Sequence, residues 1–383
     1  MKLRSLEAES YRSLQSIRME VGDINLFVGD NGAGKSNLYR ALFLVHAAAL
    51  GTFAHEIAAE GGMASVLWTG RRRRGQPVRV KLSVEMSDPV SALDWRYTIE
   101  AGLKPPAAAG FPFEPQIKTE TLVLDQGRRK VVVLKRDGPT LSWRDEHGRM
   151  DEDTMRLLPS ETGLARVGAG GLNPEVAAVR DALAQWRFYH GFRTDRDSPL
   201  RAPCLAVTAP MLAMDGGDLA AVFATLHHIR GDTVDLDRAV EEAFAGARLS
   251  VPLPDIHASF GMVFPQFPQR TFQASELSDG QLRFLALAGA LLAYRLPRFI
   301  ALNEPEASLH PAMLPALASM IARASGQTQI WVVTHSPDLA GHITERCGVR
   351  AKRVLRNDEG ATWIDGLSRT GLMIDDADAD GGV

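Results

Sequence analysis

Ile24-Asn25-Leu26-Phe27-Val28-Gly29-Asp30-Asn31-Gly32-Ala33-Gly34-Lys35-Ser36-Asn37-Leu38 is the stretch that decides the fold. Ile24 to Val28 is a short, mostly apolar run ending at a glycine, and it reads as a buried strand. Gly29 to Ser36 fits the pattern G-x-x-x-x-G-K-[ST]. From Ser36 to Leu50 the apolar residues change to a helical period, with Leu38, Ala41, Leu42, Val45 and Ala49 on one face. Strand, glycine-rich loop and helix, in that order, are what a phosphate-binding loop requires. The glycines let backbone N–H groups turn inward around a phosphate, and the helix start adds partial positive charge. Lys35 is placed to reach the terminal phosphates, and the Ser36 hydroxyl to ligate Mg²⁺. A glycine-rich turn with a chance Lys-Ser is the plainer reading, and the flanking strand and helix make it the poorer one.

Working outward, the whole chain has 383 residues, enough for two or three units. It carries 43 Lys and Arg against 46 Asp and Glu, a net charge of −3, which argues against a basic nucleic-acid coat protein or an acidic disordered tail protein. At 45% hydrophobic and 23% charged residues it can bury a large core without staples. Cys204 and Cys347 form neither a CxxC nor a zinc spacing, which fits a reducing compartment. No run approaches the ~18–20 apolar residues of a membrane span, and Met1 to Glu7 lacks the apolar core of a secretory signal. A cytoplasmic protein without a membrane partner is expected.

Ile17, Met19 and Val21 alternate with charged neighbours, so residues 1–28 read as strands. Pro77 to Trp143 reads as short antiparallel strands punctuated by turn signals, followed by irregular chain to about Leu172. Residues 174–187, 217–230 and 232–246 read as helices, and 248–274 as strands. From 275 onward strand and helix alternate, which implies a parallel sheet with covered faces.

Four features of this last stretch converge on one site. Leu277-Ser278-Asp279-Gly280-Gln281 opens a helix; Ser278 is a good N-cap, and with Gly280 it also presents free N–H groups as a second phosphate grip. Phe299-Ile300-Ala301-Leu302 is a buried strand that delivers Asn303 and Glu304 to the carboxyl edge of the sheet, where α/β folds bind ligands. A strand-end glutamate facing solvent is the default for a lone occurrence, but here Glu304 is in place to polarise a water. Glu306-Ala307-Ser308-Leu309-His310-Pro311 leads into the next helix, and Trp331-Val332-Val333-Thr334 ends at His335.

Together these residues resemble the ATP-binding-cassette type of P-loop ATPase, in the branch that contains RecF, the SMC and Rad50 proteins and the OLD-family ATPases. Residues 1–50 and 275–365 carry the resemblance. Glu9-Ser10-Tyr11-Arg12-Ser13-Leu14 resembles the opening strand of that branch, and Trp186-Arg187-Phe188-Tyr189-His190 and Asp215-Gly216-Gly217-Asp218-Leu219 resemble its stand-alone AAA-family ATPases. The resemblance implies an α/β fold: an ABC-type head with a mixed antiparallel β-sheet and a helical insertion between its two lobes. The lobes are expected at 1–76 and 275–370, the insertion at 77–274 with its β part potentially belonging to the head, and a flexible tail at 371–383.

The resemblance further implies ATP and Mg²⁺ as cofactors, and a homodimer or higher oligomer that sandwiches ATP. Arg12, Asn31, Gly32, Ala33, Gly34, Lys35, Ser36 and Asn37 would bind nucleotide, with Ser278 and Gly280 acting from the second copy. Glu304 would be the general base, His335 the γ-phosphate contact, and Ser36 and Asn303 the metal ligands. Asn303 stands where many P-loop ATPases place an aspartate, and it contributes no charge, so the rate of hydrolysis is left open. Gln76 and Gln116 are the candidates for a glutamine-loop residue.

The inserted region lacks sustained heptads and a CxxC, so neither a long coiled-coil arm nor a zinc hook is expected. About 48 residues follow His335, too few for the Toprim domain of OLD-family nucleases. Asp375, Asp376, Asp378 and Asp380 read as a solvated acidic tail. Arg71, Arg72, Arg73 and Arg74 read either as a solvated loop or as a contact to the phosphate backbone of DNA or RNA. The leading function is an ATPase switch acting on DNA or on a separate effector protein, in genome maintenance or phage defence. The rivals are a nucleotide-bound scaffold with negligible turnover and a transporter ATPase subunit.

Overall fold

The computed structural model describes residues 1–71, 75, 77–88, 93–104, 110–127, 129–145, 147–153 and 157–368. The chain divides into two compact units. The first comprises Met1–Gly22, Gly29–Trp186 and the segment from Lys352 on; the second comprises Asp23–Val28 and Arg187–Ala351.

The first unit is built on an eight-stranded antiparallel sheet. Its spatial order is Leu14–Glu20, Lys2–Tyr11, Arg79–Asp88, Leu93–Gly102, Gln116–Asp125, Lys130–Asp137, Thr140–Arg144 and Met150–Asp153. Alternation selects the faces. Leu82, Val84, Met86, Trp95, Tyr97 and Ile99 are buried, while the opposite face carries cross-strand ion pairs of Lys81 with Glu7 and Glu9 and of Arg79 with Glu100. The phosphate-loop helix, Lys35–Leu50, packs against strands Lys2–Tyr11 and Arg79–Asp88 and against helices Gly163–Ala169 and Pro174–Ala184. A hairpin of Lys352–Arg356 and Thr362–Ile364 lies beside Leu14–Glu20.

The stretch read as irregular up to Leu172 is corrected. Met150–Asp153 is the last strand of the sheet, and Gly163–Ala169 is a helix. That helix has no side-chain cap from its own N-cap residue. The Glu120 carboxylate accepts from its Gly163 and Leu164 N–H groups, at 2.6 and 2.8 Å, and from the Tyr97 hydroxyl at 2.9 Å. A cap supplied from a distant strand leaves no local signature. Full burial pushes the Glu120 carboxyl above the usual carboxylate range, against these three donors. The loosely patterned chain after Gly51 likewise contains two short helices, Phe53–Ala59 and Met63–Val66.

The second unit is centred on four parallel strands in the order Arg187–Tyr189, Phe299–Asn303, Gln329–Thr334 and Ile24–Val28. The three longer strands are fully or mostly buried, as expected of a parallel sheet. Helices Asp279–Leu292, Leu314–Ser325 and Pro337–Cys347 supply much of the core. In the first of these, a Cβ on Gly289 would lie 2.4 Å from Leu219 Cδ1, so glycine there permits the close packing of a neighbouring segment. The helix expected at 217–230 is α-helical over Leu219–Ala224 and π-helical over Thr225–Arg230. The Thr225 hydroxyl donates to the Ala221 carbonyl at the point of change. Residues 248–274 form three short strands, Arg248–Ser250, Gly261–Val263 and Phe272–Gln273, with His257–Ala258 paired separately to Cys204–Leu205.

Candidate functional site

The first unit carries the phosphate loop. Gly34 is left-handed, with φ 100°, and a Cβ there would lie 1.9 Å from Thr362 Oγ1, so both conformation and space demand glycine. Lys35, 4% exposed, folds back over the loop and donates to the carbonyls of Gly29 and Asp30 at 2.6 and 2.9 Å. Asn31, Gly32 and Ser36 are exposed, while Ala33 is buried. The helix at Lys35 starts without a side-chain cap, leaving its first N–H groups to whatever the loop holds.

Residues that the sequence reading passed over support this loop. Thr362 Oγ1 donates to Ala33 O at 3.0 Å and lies 2.6 Å from Ser13 Oγ. Asn37, expected at the nucleotide, gives its amide to Ser13 Oγ at 2.6 Å. Arg356 Nε donates to Gly32 O at 2.6 Å. Arg12 is left-handed, with φ 49°, and its guanidinium pairs with Glu60 at 2.7 Å. Glu60 also receives Arg40 at 2.6 Å and the Tyr11 hydroxyl at 2.8 Å. Burial, and then the Glu60 charge, push the Tyr11 phenol upward, so it stays a donor.

The second unit carries the strand-end residues. Glu304 follows strand Phe299–Asn303 with φ 48°, a left-handed conformation rare for glutamate, and its N–H donates to Val333 O at 2.7 Å. Its carbonyl receives Arg283 at 3.0 Å. Burial pulls the Arg283 guanidinium below its usual range, opposed by the charges of Glu306 and Glu304. Glu306, with its side chain 6% exposed, is the buried anchor of the site. Its Oε1 accepts from Thr334 Oγ1 at 2.6 Å and from the His335 N–H at 3.0 Å, and lies 3.2 Å from His335 Nδ1. Glu304 is more open, with Oε1 3.9 Å from His335 Nδ1.

Asn303 is 3% exposed. Its Nδ2 lies 2.8 Å from His190 Nδ1, and its Oδ1 is buried without a hydrogen-bond partner. A buried orphan acceptor at a strand end fits an oxygen-preferring cation or a water held by one. Among the described residues no group of three or more His, Cys, Asp or Glu side chains could cage a metal. The Ser36 hydroxyl in the first unit and Asn303 Oδ1 in the second are each oxygen donors of a kind that Mg²⁺ accepts.

Ser278 is exposed and caps helix Asp279–Leu292 in a reciprocal box with Gln281. Gly280 has a second reason to be glycine: a Cβ would lie 2.7 Å from Ser308 O, in the loop that follows Glu304. Arg201 fixes the approach to this helix, donating to Leu277 O and Asp279 Oδ1, both at 2.7 Å.

Of the glutamine-loop candidates, Gln116 lies in the antiparallel sheet and accepts from Lys118, and Gln76 lies outside the described residues. Arg71 is exposed, whereas Arg72, Arg73 and Arg74, like residues 369–383 with their four aspartates, lie outside the described residues. In Asp215–Leu219, Asp218 Oδ1 accepts from Ala213 N at 2.9 Å, and Asp215 from Gly217 N, so the motif forms a turn.

The mixed α/β architecture and the phosphate loop give the chain the fold of P-loop ATPase heads of the ABC type. Within that class it has the fold of the SMC/RecF-like kind. A solved SMC head bound to the C-winged helix domain of ScpA matches with a TM-score of 0.55 at 15% identity, covering 97% of this chain and 99% of that one. An SMC head domain from Thermotoga maritima matches with a TM-score of 0.47 at 15% identity, covering 95% and 98%. Residues 236–340 match the family described as "AAA domain, putative AbiEii toxin, Type IV TA system", and residues 1–62 the family described as "AAA ATPase domain". No curated protein matches the chain in sequence. Among the described residues no helix is long and apolar enough to cross a membrane.

Proposed function

We propose that the chain binds and hydrolyses ATP, and pairs with a second copy around the nucleotide as a switch acting on DNA or on a partner protein. The observation that carries the catalytic part is the buried Glu306 carboxylate, which holds Thr334 and the His335 backbone while leaving the Glu304 carboxylate open at its strand end. In this reading Lys35 exchanges two backbone carbonyls for the terminal phosphates. Glu304 takes a proton from the water that attacks the γ-phosphate, and His335 contacts a γ-phosphate oxygen. Ser36 and Asn303 would hold Mg²⁺, which would neutralise phosphate charge. The exposed Ser278, at the start of a capped helix, supports closure onto the nucleotide of a second copy. A protein partner is supported by the solved SMC head bound to a domain of ScpA; the Arg71–Arg74 run supports a salt-sensitive contact to DNA.

The neutral Asn303 favours a second reading, a scaffold that holds ATP without appreciable turnover. Steady-state ATP hydrolysis separates the two. The wild-type chain turns over and Glu304→Gln loses about 10²–10⁴-fold; equal background rates in both would leave the scaffold. With ATP, Glu304→Gln elutes as a larger species than Lys35→Ala, and equal elution at several concentrations argues against the sandwich.

A further inference from the structure

Asn303 reads from sequence as a weakened aspartate, but its surroundings make it half of a matched pair. Strand Arg187–Tyr189 runs parallel to Phe299–Asn303, with Tyr189 level with Leu302. The register therefore carries His190, just past its strand, and Asn303, the last residue of the neighbouring strand, side by side at their carboxyl ends. Asn303 Nδ2 meets His190 Nδ1 at 2.8 Å. An amide N–H₂ only donates, so Nδ1 accepts and the ring proton sits on Nε2. That bond turns the amide so that Oδ1, buried and without a partner, faces away from the imidazole.

We propose that His190 is a positioning residue for the nucleotide-bound Mg²⁺: by accepting from the Asn303 amide, it presents Asn303 Oδ1 to the metal or to a metal-bound water. This rests on the nucleotide-binding reading above. Groups that orient a metal's oxygen donors typically contribute about 10–100-fold to metal affinity.

The test is titration of the full chain with a fluorescent ATP analogue, in Mg²⁺ and in EDTA, for wild type, His190→Ala, His190→Gln, His190→Lys, Asn303→Ala and the His190/Asn303 double-alanine variant. Wild type binds more tightly with Mg²⁺. His190→Ala loses about 10-fold of that metal-dependent gain and keeps its affinity in EDTA. His190→Gln, which offers an acceptor, retains the gain. His190→Lys, which offers none, loses it; this pair decides the matter if the alanine variant unfolds. The double variant matches Asn303→Ala alone, because both changes remove one interaction. A wild-type gain in His190→Ala or His190→Lys, or additive losses in the double variant, overturns the proposal while nucleotide binding stands. Absence of analogue binding by wild type in either buffer overturns the nucleotide reading, and this proposal with it.

Discussion

Ser13 Oγ and Thr362 Oγ1, 349 positions apart in the chain, lie 2.6 Å from each other in the interior of the first unit. Each extends the contact toward the phosphate loop. Thr362 donates to Ala33 O, and Ser13 receives the Asn37 amide from the first turn of the following helix. The C-terminal hairpin is thereby tied to the loop, and Gly34 has no room for a side chain because Thr362 fills it. A loop with three glycines in eight residues has little conformational preference of its own to hold it in a cradle, so such ties help set its shape.

Thr362→Val keeps the shape and removes the hydroxyl. Ala33 O and Ser13 Oγ each lose a buried partner, and a lost hydrogen bond of that kind costs about 1 kcal/mol or more. We expect ATP affinity to fall about 5–10-fold with a modest drop in Tm. Fluorescent-nucleotide titration beside a thermal melt checks it, and unchanged affinity would show that the loop holds its shape without the hairpin.

Glu306→Ala removes the acceptor shared by Thr334 and the His335 N–H. Leaving the buried Thr334 hydroxyl unpaired destabilises the fold by about 1–3 kcal/mol. Loss of His335 placement is expected to lower kcat about 10–100-fold, with much less effect on KM. Glu306→Gln, which keeps one acceptor oxygen, falls between alanine and wild type. A KM effect without a kcat effect would move Glu306 from catalysis to substrate binding.

Arg201 holds Leu277 O and Asp279 on either side of Ser278. In a Glu304→Gln background, Arg201→Met is expected to reduce the ATP-dependent larger species in light scattering, while each copy binds ATP with unchanged affinity. The reason is that, in the proposed sandwich, Ser278 would act on the nucleotide of the other copy. Parallel loss of nucleotide affinity and dimer would argue that this helix serves its own phosphate loop.

Burial pulls the Lys352 ammonium down to about 8, with Glu20 opposing the shift. An amine depressed in the folded state binds fewer protons there than when unfolded. Its full penalty, about 3 kcal/mol by this shift, is present below pH 8, and it fades as pH rises from about 8 toward the ordinary lysine value near 10.5. Lys352→Met is therefore expected to melt at higher temperature than wild type at pH 7, with the advantage shrinking by pH 10. A pH-independent difference would assign the gain to packing instead of charge.

The phosphate loop was legible because all its parts are contiguous: strand, glycines, Lys35, Ser36 and helix follow one another, and periodicity reveals the flanking elements. Strand alternation in 77–143 and the buried strands that deliver Glu304 and His335 were legible for the same reason, since each pattern repeats within one element. Only the tertiary structure decided the rest. His190 beside Asn303, Glu60 beneath Arg12, Thr362 against Gly34, Arg201 around Ser278 and the Glu120 cap of a helix that begins at Gly163 are single polar residues whose partners come from other elements. Periodicity records which face of an element is buried. It does not record which distant hydroxyl, imidazole or carboxylate the fold will bring to that face, because a hydrogen bond is specified by geometry across the chain and not by spacing along it.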